Sequence, residues 1–267
     1  MTTALIGHTG FVGGQLLSQT RFDECFRSTD IERMRGRDFD LVVCSGVRAE
    51  KWKANADPVA DWAAIERLWN VLRETRIREL VLISTVDVFR RPVLVDEDTP
   101  VATSGLEPYG LHRFRLEELA RERFATRIVR LPGLFGAGLK KNIIFDLIHD
   151  NGTDKVHADS VYQFYDLARL WSDVEIVRSS DLSVAHLATP PVSVADVARV
   201  GFGRDFTNRP AGAKPARYDF RTRHAALFGG PSGYVYDAAE HERCLRAFVA
   251  SELDAMRVGR AARRIAA

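Results

Sequence analysis

Three features of this 267-residue chain predict an α/β fold built on a doubly wound parallel sheet. Short apolar runs alternate with segments whose apolar residues recur at helical spacing, which is the pattern of repeated βαβ units. The clearest run, 80–84, has no polar alternation, as expected for a parallel strand buried on both faces. A glycine-rich turn joins the first run to the first helix. The alternation weakens after residue 140, and we expect residues 1–140 to form the main domain and 141–267 a small C-terminal substrate-binding lobe, interleaved with the end of the sheet.

The individual elements follow from hydrophobic periodicity and from turn residues. Residues 174–177 and 183–187 are predicted as short strands, and Ser193 as the cap of a helix. Residues 203–235, rich in Gly, Pro and Arg, are predicted to be irregular. The other predicted strands lie at 3–6, 39–44, 80–84 and 127–131, and the other predicted helices at 11–17, 61–74, 108–124, 142–149 and 241–267.

Composition argues against several classes of protein. The 38 basic and 36 acidic residues nearly balance, so neither nucleic acid nor a membrane surface is an expected partner. The chain shows neither a signal-peptide pattern nor an apolar stretch long enough for a bilayer, and its three cysteines have no paired spacing. We therefore expect a cytoplasmic protein. The seven histidines show no metal-ligand spacing, and no metal is expected.

The glycine turn has the pattern GxxGxxG, formed by Gly7, Gly10 and Gly13. The first glycine permits a tight turn, the second lets the backbone approach a pyrophosphate, and the third lets helix and strand pack closely. The following helix N-terminus offers N–H donors and a favourable dipole to phosphate. A plain turn without a ligand is the alternative, but the position between a strand and a helix favours a dinucleotide site. The remaining residues of that expected site are Thr9, Phe11 and Val12.

The spacing of these glycines resembles the extended branch of the short-chain dehydrogenase/reductase superfamily. That branch usually shows TGxxGxxG, and Thr9-Gly10 followed by Gly13 matches its second and third glycines. The resemblance implies a Rossmann-type sheet, a nicotinamide cofactor and a nucleotide-activated sugar as substrate. Its members are NAD(P)-dependent epimerases, dehydratases and reductases.

The residues after the second strand are expected to determine whether the cofactor is NAD or NADP. If that strand is Glu24–Phe26, its end carries Arg27 and Ser28, which suit the 2′-phosphate of NADP. If it runs two residues further, Asp30 is the acid that binds the ribose of NAD. We expect NADP, with NAD possible. The short connection to Leu41 resembles the sugar-nucleotide reductases related to dTDP-4-dehydrorhamnose reductase.

The segment at the end of strand 80–84 resembles the Ser/Thr segment of the superfamily. The resemblance implies that the Thr85 hydroxyl holds the substrate oxygen, with Ser84 as support on the side of substrate and cofactor. Twenty-four residues beyond Thr85 stands Tyr109, where the family has Tyr-x-x-x-Lys. The tyrosine would exchange a proton with the substrate oxygen. The lysine position is Arg113, which keeps the charge and could reach ribose, but which cannot lose a proton.

Three later segments extend the resemblance. Pro132 and Gly133 match the loop that faces the nicotinamide. Lys140, Lys141 and Asn142 fall where the family opens its substrate lobe and offer a seat for a diphosphate, although solvated lysines are an equally good interpretation. The residues expected to contact substrate are Ser84, Thr85, Lys140, Lys141, Asn142 and Gln163.

The expected function is hydride transfer between a nicotinamide cofactor and a nucleotide-activated sugar, with Thr85 and Tyr109 as the acid-base pair. Reduction or epimerisation is preferred over dehydration, because Val86-Asp87 stands where dehydratases have an Asp-Glu dyad. The alternative is a non-catalytic dinucleotide-binding protein, a sensor or an assembly partner, which Arg113 in place of lysine suggests. A homodimer through helices 61–74 and 108–124 is expected in either case.

Overall fold

The structure, a computed structural model, describes residues 1–231 and 233–265. Within these residues the strands are β1 (Thr3–Ile6), β2 (Glu24–Phe26), β3 (Asp38–Cys44), β4 (Arg76–Thr85), β5 (Thr126–Leu131), β6 (Gly133–Phe135), β7 (Val161–Tyr162), β8 (Phe164–Asp166), β9 (Val184–His186) and β10 (Val192–Ser193). The α-helices are α1 (Phe11–Gln19), α2 (Lys51–Ala56), α3 (Pro58–Leu72), α4 (Pro108–Arg123), α5 (Ile143–His149), α6 (Leu170–Ser179), α7 (Val194–Phe202) and α8 (Ala238–Ile265).

The central sheet has six parallel strands in the order β2-β1-β3-β4-β5-β9. The chain moves from β1 outward to β2 and then crosses back to β3, so the winding direction reverses beside β1. In such sheets, ligands bind at the carboxyl ends of the strands where the direction reverses. Gly7 follows β1 at this point, and this confirms the predicted Rossmann-type α/β fold.

Helices cover both faces of the sheet because its central strands carry apolar residues on both sides. On one face, Ile65 and Leu72 of α3 pack with Leu116 of α4 against the strands. On the other face, Leu16 of α1 and Leu170 of α6 do the same. These two layers enclose the sheet on both faces, and the loops at its carboxyl edge follow directly from the strands they cover.

The chain after residue 140 contributes to two structures. β9 joins the edge of the central sheet, while α5, α7 and α8 share a separate apolar cluster around residues such as Ile144, Val197 and Val249. Two small sheets, β6-β8 and β7-β10, connect this cluster to the main body. The division into a cofactor domain, 1–140, and a substrate lobe, 141–267, remains a prediction.

One predicted strand is wrong. Residues 174–177 lie within α6, because Leu170, Val174 and Val177 fall on one face of a helix and are fully buried against the sheet. The predicted C-terminal helix corresponds to α8, and residues 266–267 of that prediction lie outside the described residues. In the part of the chain that the structure describes, no helix is long and apolar enough to cross a membrane.

Candidate active site

The glycine turn adopts the close packing that its sequence predicts. Gly7 has φ +87°, and a Cβ there would lie 2.6 Å from the carbonyl oxygen of Ser45, which follows β3. A Cβ on Gly13 would collide with the carbonyl oxygen of Gly7. The turn is held by N–H groups of Gly7 and Gly10, which donate to the carbonyls of Phe26 and Gly7. No residue larger than glycine fits at positions 7 or 13 without moving backbone.

The N-terminus of α1 fits an anionic group. Gly10 is its N-cap and provides no side-chain cap, so the first N–H groups of the helix, from Phe11, Val12 and Gly13, face away from the helix toward its open end. The helix dipole adds partial positive charge at the same place. A bare cradle with several N–H donors suits the pyrophosphate of a dinucleotide. Thr9 is exposed beside it.

β2 ends at Phe26, so Arg27 and Ser28 follow it directly at the carboxyl edge. Both residues are exposed. The Asp30 carboxylate accepts a hydrogen bond from the backbone N–H of Arg27 at 2.7 Å, and it also lies 4.0 Å from the Arg27 guanidinium. Asp30 therefore closes its own turn, whereas Ser28 and the Arg27 guanidinium reach into solvent.

Thr85 and Tyr109 lie together at the carboxyl edge of the sheet. Thr85 is the last residue of β4, and its hydroxyl accepts a hydrogen bond from the N–H of Asp87 at 3.2 Å. Tyr109 is in the first turn of α4, and its backbone N–H donates to the side-chain oxygen of Asn55 at 3.0 Å. The Thr85 hydroxyl also lies beside the Tyr109 phenol and lowers its pKa. The two residues that the sequence pairs are thus adjacent in space.

The Tyr109 side chain is 7% exposed, and this burial dominates its acidity. Burial raises the pKa of Tyr109, and neighbouring Asp87 raises it further, while Arg113 and Thr85 only partly offset the rise. The phenol is therefore protonated at neutral pH in the structure. It is in the state that can donate a proton to a substrate oxygen.

The Arg113 side chain is buried and hydrogen-bonded within the protein. Its side chain is 5% exposed, and its Nη1 and Nη2 donate to both carboxylate oxygens of Asp61, at 2.7 and 3.0 Å. The same two nitrogens donate to the backbone carbonyls of Tyr109 and Arg48, at 3.0 and 2.5 Å. Burial alone would raise the pKa of Asp61, but the hydrogen bonds from Arg113 and His112 outweigh it and hold that pKa below its usual range.

The position of the guanidinium clarifies what Arg113 can do. It lies over the Tyr109 ring, 3.9 Å from the ring centre, so its charge still acts on the phenol. All four of its terminal N–H groups already have acceptors, and binding ribose would require the exchange of one of them. A role for Arg113 toward ribose stays a prediction, whereas its charge beside Tyr109 is present in the structure.

Ser84 points into the protein. It is buried, and its hydroxyl donates to the Glu117 carboxylate, which is paired with Arg130. The same β4 end that brings Thr85 toward the cleft thus turns Ser84 to the opposite side, as alternation along a strand requires. The contacts of Ser84 with cofactor and substrate stay predictions.

The predicted substrate residues of the later segments fall into two groups: Lys140, Lys141 and Asn142 lie at the start of α5, and Gln163 lies in the interior. Lys140 and Lys141 are exposed at the start of α5, and the Lys141 ammonium donates to the carbonyl of Ala49 across the cleft. Asn142 is the N-cap of α5 and accepts from the N–H groups of Ile144 and Phe145. Gln163 is buried, and its amide is bonded to the backbone of Thr189 and Phe220. Their roles toward substrate remain predictions.

Pro132 and Gly133 lie where β5 passes into β6, at the same edge as Thr85. A Cβ on Gly133 would lie 2.8 Å from the carbonyl of Gln163, so the glycine permits β6 and β8 to pair closely. This observation explains the residue structurally. Contact with a nicotinamide ring stays a prediction.

Sequence reasoning missed the residues that surround Tyr109. These residues come from other parts of the chain, and none belongs to a motif. They are Asn55, Asp61, Lys51 and Tyr218. Asp87 was considered only because Val86-Asp87 stands where dehydratases have an Asp-Glu dyad. Its two-residue spacing from Thr85 was the one available signal, because a residue that close to the strand end must lie at the same edge of the sheet.

Comparison with known proteins supports the fold. The sequence matches no protein-family model, and no curated protein matches it. Among solved structures, dTDP-4-dehydrorhamnose reductase from Bacillus anthracis, in complex with NADP, is similar with a TM-score of 0.71 and 17% identity, covering 94% of this chain and 99% of that chain.

Two further structures carry nucleotide sugars. MoeE5 in complex with UDP-glucose and NAD has a TM-score of 0.66 at 16% identity, covering 97% of this chain and 99% of that chain. UDP-glucose 4-epimerase from Thermotoga maritima, with UDP-glucose, has a TM-score of 0.65 at 14% identity, covering 97% and 100%. At these identities the likeness establishes the fold over nearly the whole chain.

Proposed function

We propose that this protein is a nicotinamide-dependent oxidoreductase or epimerase of the extended short-chain dehydrogenase/reductase type, acting on a nucleotide-activated sugar. One observation carries the proposal: the Thr85 hydroxyl and the Tyr109 phenol lie together at the same sheet edge as the glycine turn. The similar structures include enzymes solved with NADP, with NAD and with UDP-glucose, which supports the same assignment.

The side chains divide the chemistry as follows. When bound, the nicotinamide cofactor supplies or accepts the hydride, for which no protein side chain is suited. The Thr85 hydroxyl orients the substrate oxygen toward Tyr109. The Tyr109 phenol gives that oxygen its proton in reduction, or takes it in oxidation. Because the phenol is protonated at neutral pH, Tyr109 can donate the proton when a sugar carbonyl is reduced.

We further propose that NADP is preferred, with Arg27 and Ser28 as the residues that bind its 2′-phosphate. Replacing Arg27 with Ala is expected to weaken NADPH binding about tenfold or more and to leave NADH binding unchanged, because a charge-assisted bond to the phosphate is lost. Fluorescence titration of the reduced cofactors measures both affinities. Arg21→Ala, which removes an exposed arginine before β2, is the control. Equal weakening of both cofactors would contradict the assignment.

A non-catalytic dinucleotide-binding protein is the second candidate, and the environment of Arg113 favours it. The residue at the lysine position is fixed in an ion pair with Asp61 and cannot exchange a proton. Such a protein would bind the cofactor in the glycine turn without converting a sugar. It differs from the first candidate only in turnover, so binding measurements alone cannot separate the two.

A substrate panel separates them. Purified protein is incubated with NADPH or NADH and with UDP- and dTDP-linked sugars, each with and without a 4-keto group, and the absorbance of the reduced cofactor is followed. Epimerisation, which leaves that absorbance unchanged, is detected by chromatography of the sugars. Sustained conversion of any member supports the oxidoreductase, and cofactor binding with no conversion across the panel supports the second candidate. Mass spectrometry of small molecules released from the protein identifies a retained cofactor.

The expected assembly and location remain proposals. The outer surface of α3 exposes Val59 and part of Trp62, and it lies beside α4, which suits the predicted homodimer through these two helices. The cysteines Cys25, Cys44 and Cys244 are all unpaired, which agrees with the predicted cytoplasmic location.

A further inference from the structure

Three titratable side chains lie together beside Tyr109, and none of them was predicted from a sequence motif. Lys51 is the first residue of α2, Asp87 lies in the short 3₁₀ turn after β4, and Tyr218 comes from the irregular segment before α8. The Lys51 ammonium lies 2.8 Å from Oδ1 of Asp87, and the Tyr218 hydroxyl donates to the same oxygen at 3.3 Å. The Lys51 side chain is 45% exposed and that of Asp87 is 19% exposed, so the cluster borders the open cleft.

Backbone contacts keep this cluster close to the phenol. Asn55 lies one turn after Lys51 on α2, and it accepts the hydrogen bond from the backbone N–H of Tyr109 at 3.0 Å. A Cβ on Gly110, the residue after Tyr109, would collide with the carbonyl oxygen of Asp87. The first turn of α4 is therefore packed directly against both elements that carry the Lys51–Asp87 pair.

Each element packed around the Tyr109 phenol contributes a charged or titratable side chain. Arg113 lies on α4 itself and forms an ion pair with Asp61 of α3. Asp87 raises the pKa of Tyr109, and Lys51 lowers it, beside the larger effect of burial. Tyr218 is buried enough that its own pKa is raised, so it is a neutral hydrogen-bond donor here.

We propose that Lys51 is a positioning residue for Tyr109. The Lys51 ammonium is held by Asp87, which also accepts from Tyr218, and it offsets the negative charge that Asp87 brings to the Tyr109 phenol. Arg113 also lowers the pKa of Tyr109, but its guanidinium is fixed by Asp61 and two backbone carbonyls, whereas the Lys51 ammonium is paired directly with Asp87. The inference rests on the proposed function only in taking Tyr109 as the group that exchanges a proton with substrate. Lys51 acts through the phenol and needs no contact with the sugar.

The proposal fixes the signs of two opposite changes. Lys51→Met leaves Asp87 uncompensated and is expected to raise the pKa of Tyr109, whereas Asp87→Asn removes the negative charge and is expected to lower it. Lys51→Arg keeps the charge and leaves the pKa of Tyr109 near that of the wild type. Lys53→Met is the matched control, because it removes a lysine two residues away on the same helix, where the ammonium is paired with Glu50.

The measurement is ¹⁹F NMR of protein labelled with fluorotyrosine, since fluorine lowers the pKa of a phenol into an accessible range. The chain has six tyrosines, and the Tyr109 resonance is the one lost in Tyr109→Phe. No shift of the Tyr109 midpoint in Lys51→Met, or an equal shift in Lys53→Met, overturns the proposal. So does a change in Lys51→Arg as large as that in Lys51→Met. The titration needs no substrate, so failure of the proposed function, which shows as absent turnover in the wild type, is distinguished from failure of this inference.

Discussion

Replacing Tyr109 with Phe is expected to reduce turnover by a factor of about 10²–10⁴ or more, because the group that exchanges a proton with the substrate oxygen is removed. The substitution deletes one oxygen and keeps the ring. The ring continues to fill its buried site below the Arg113 guanidinium, 3.9 Å from the ring centre. Neither the glycine turn nor the N-terminus of α1 is touched, so cofactor affinity should not change.

Two measurements on the same preparations test this prediction. Fluorescence titration gives the affinity for NADPH and NADH, and the substrate panel gives the rate of conversion. Tyr234→Phe is the control, since it also removes one phenolic oxygen, but from a residue that is bonded to Asp219 in the C-terminal part of the chain. An unchanged rate in Tyr109→Phe would remove the proposed role. A parallel loss of cofactor affinity would show that Tyr109 acts in binding instead of proton transfer.

The fold could be predicted because its signals are local. Apolar strands, amphipathic helices and the glycine turn each show within a dozen residues, and together they specify the sheet with its cofactor edge. The error at 174–177 has the same origin. Three of the four residues 174–177 are apolar, and a run this short fits a strand and a helix equally well. Only packing against the sheet, which buries Val174 and Val177 on one helical face, decides between them.

The candidate site could be predicted only in part. Thr85 and Tyr109 were found because a resemblance fixes their spacing along the chain. The partner of Arg113 could not be found in this way, because Asp61 lies 52 residues earlier on another helix. Tyr218 reaches Asp87 across 131 residues of chain. No periodicity or motif specifies such contacts, which exist only after the helices have packed.

The inward turn of Ser84 is a further example of this limit, since its position in the motif suggests a role in the cleft. Its hydroxyl is instead bonded to Glu117 of α4. Glu117 is completely buried and pairs with the guanidinium of Arg130 through two bonds, at 3.1 and 2.6 Å. Burial lowers the pKa of the neighbouring His186 to about 4, so this histidine is uncharged and does not compete for the carboxylate.

Replacing Glu117 with Gln is therefore expected to lower the free energy of unfolding by about 3–5 kcal/mol, because the charge of Arg130, 3% exposed, loses its only carboxylate partner among the described residues. For a chain of this size, the loss corresponds to a fall in Tm of roughly 6–20 °C. Thermal unfolding followed by circular dichroism measures it.

Glu118→Gln is the matched control for this prediction, because it makes the same chemical change one residue further along α4. Glu118 is half exposed and pairs with Arg121 at the surface, where such pairs contribute about 0–1 kcal/mol. Its Tm should stay within a few degrees of that of the wild type. Equal Tm values for the two variants would show that Arg130 finds other compensation, and the buried pair would then contribute no more to stability than a surface one. A low Tm for Glu117→Gln alone would show that the buried pair between α4 and β5 stabilises the protein in a way that a surface pair does not.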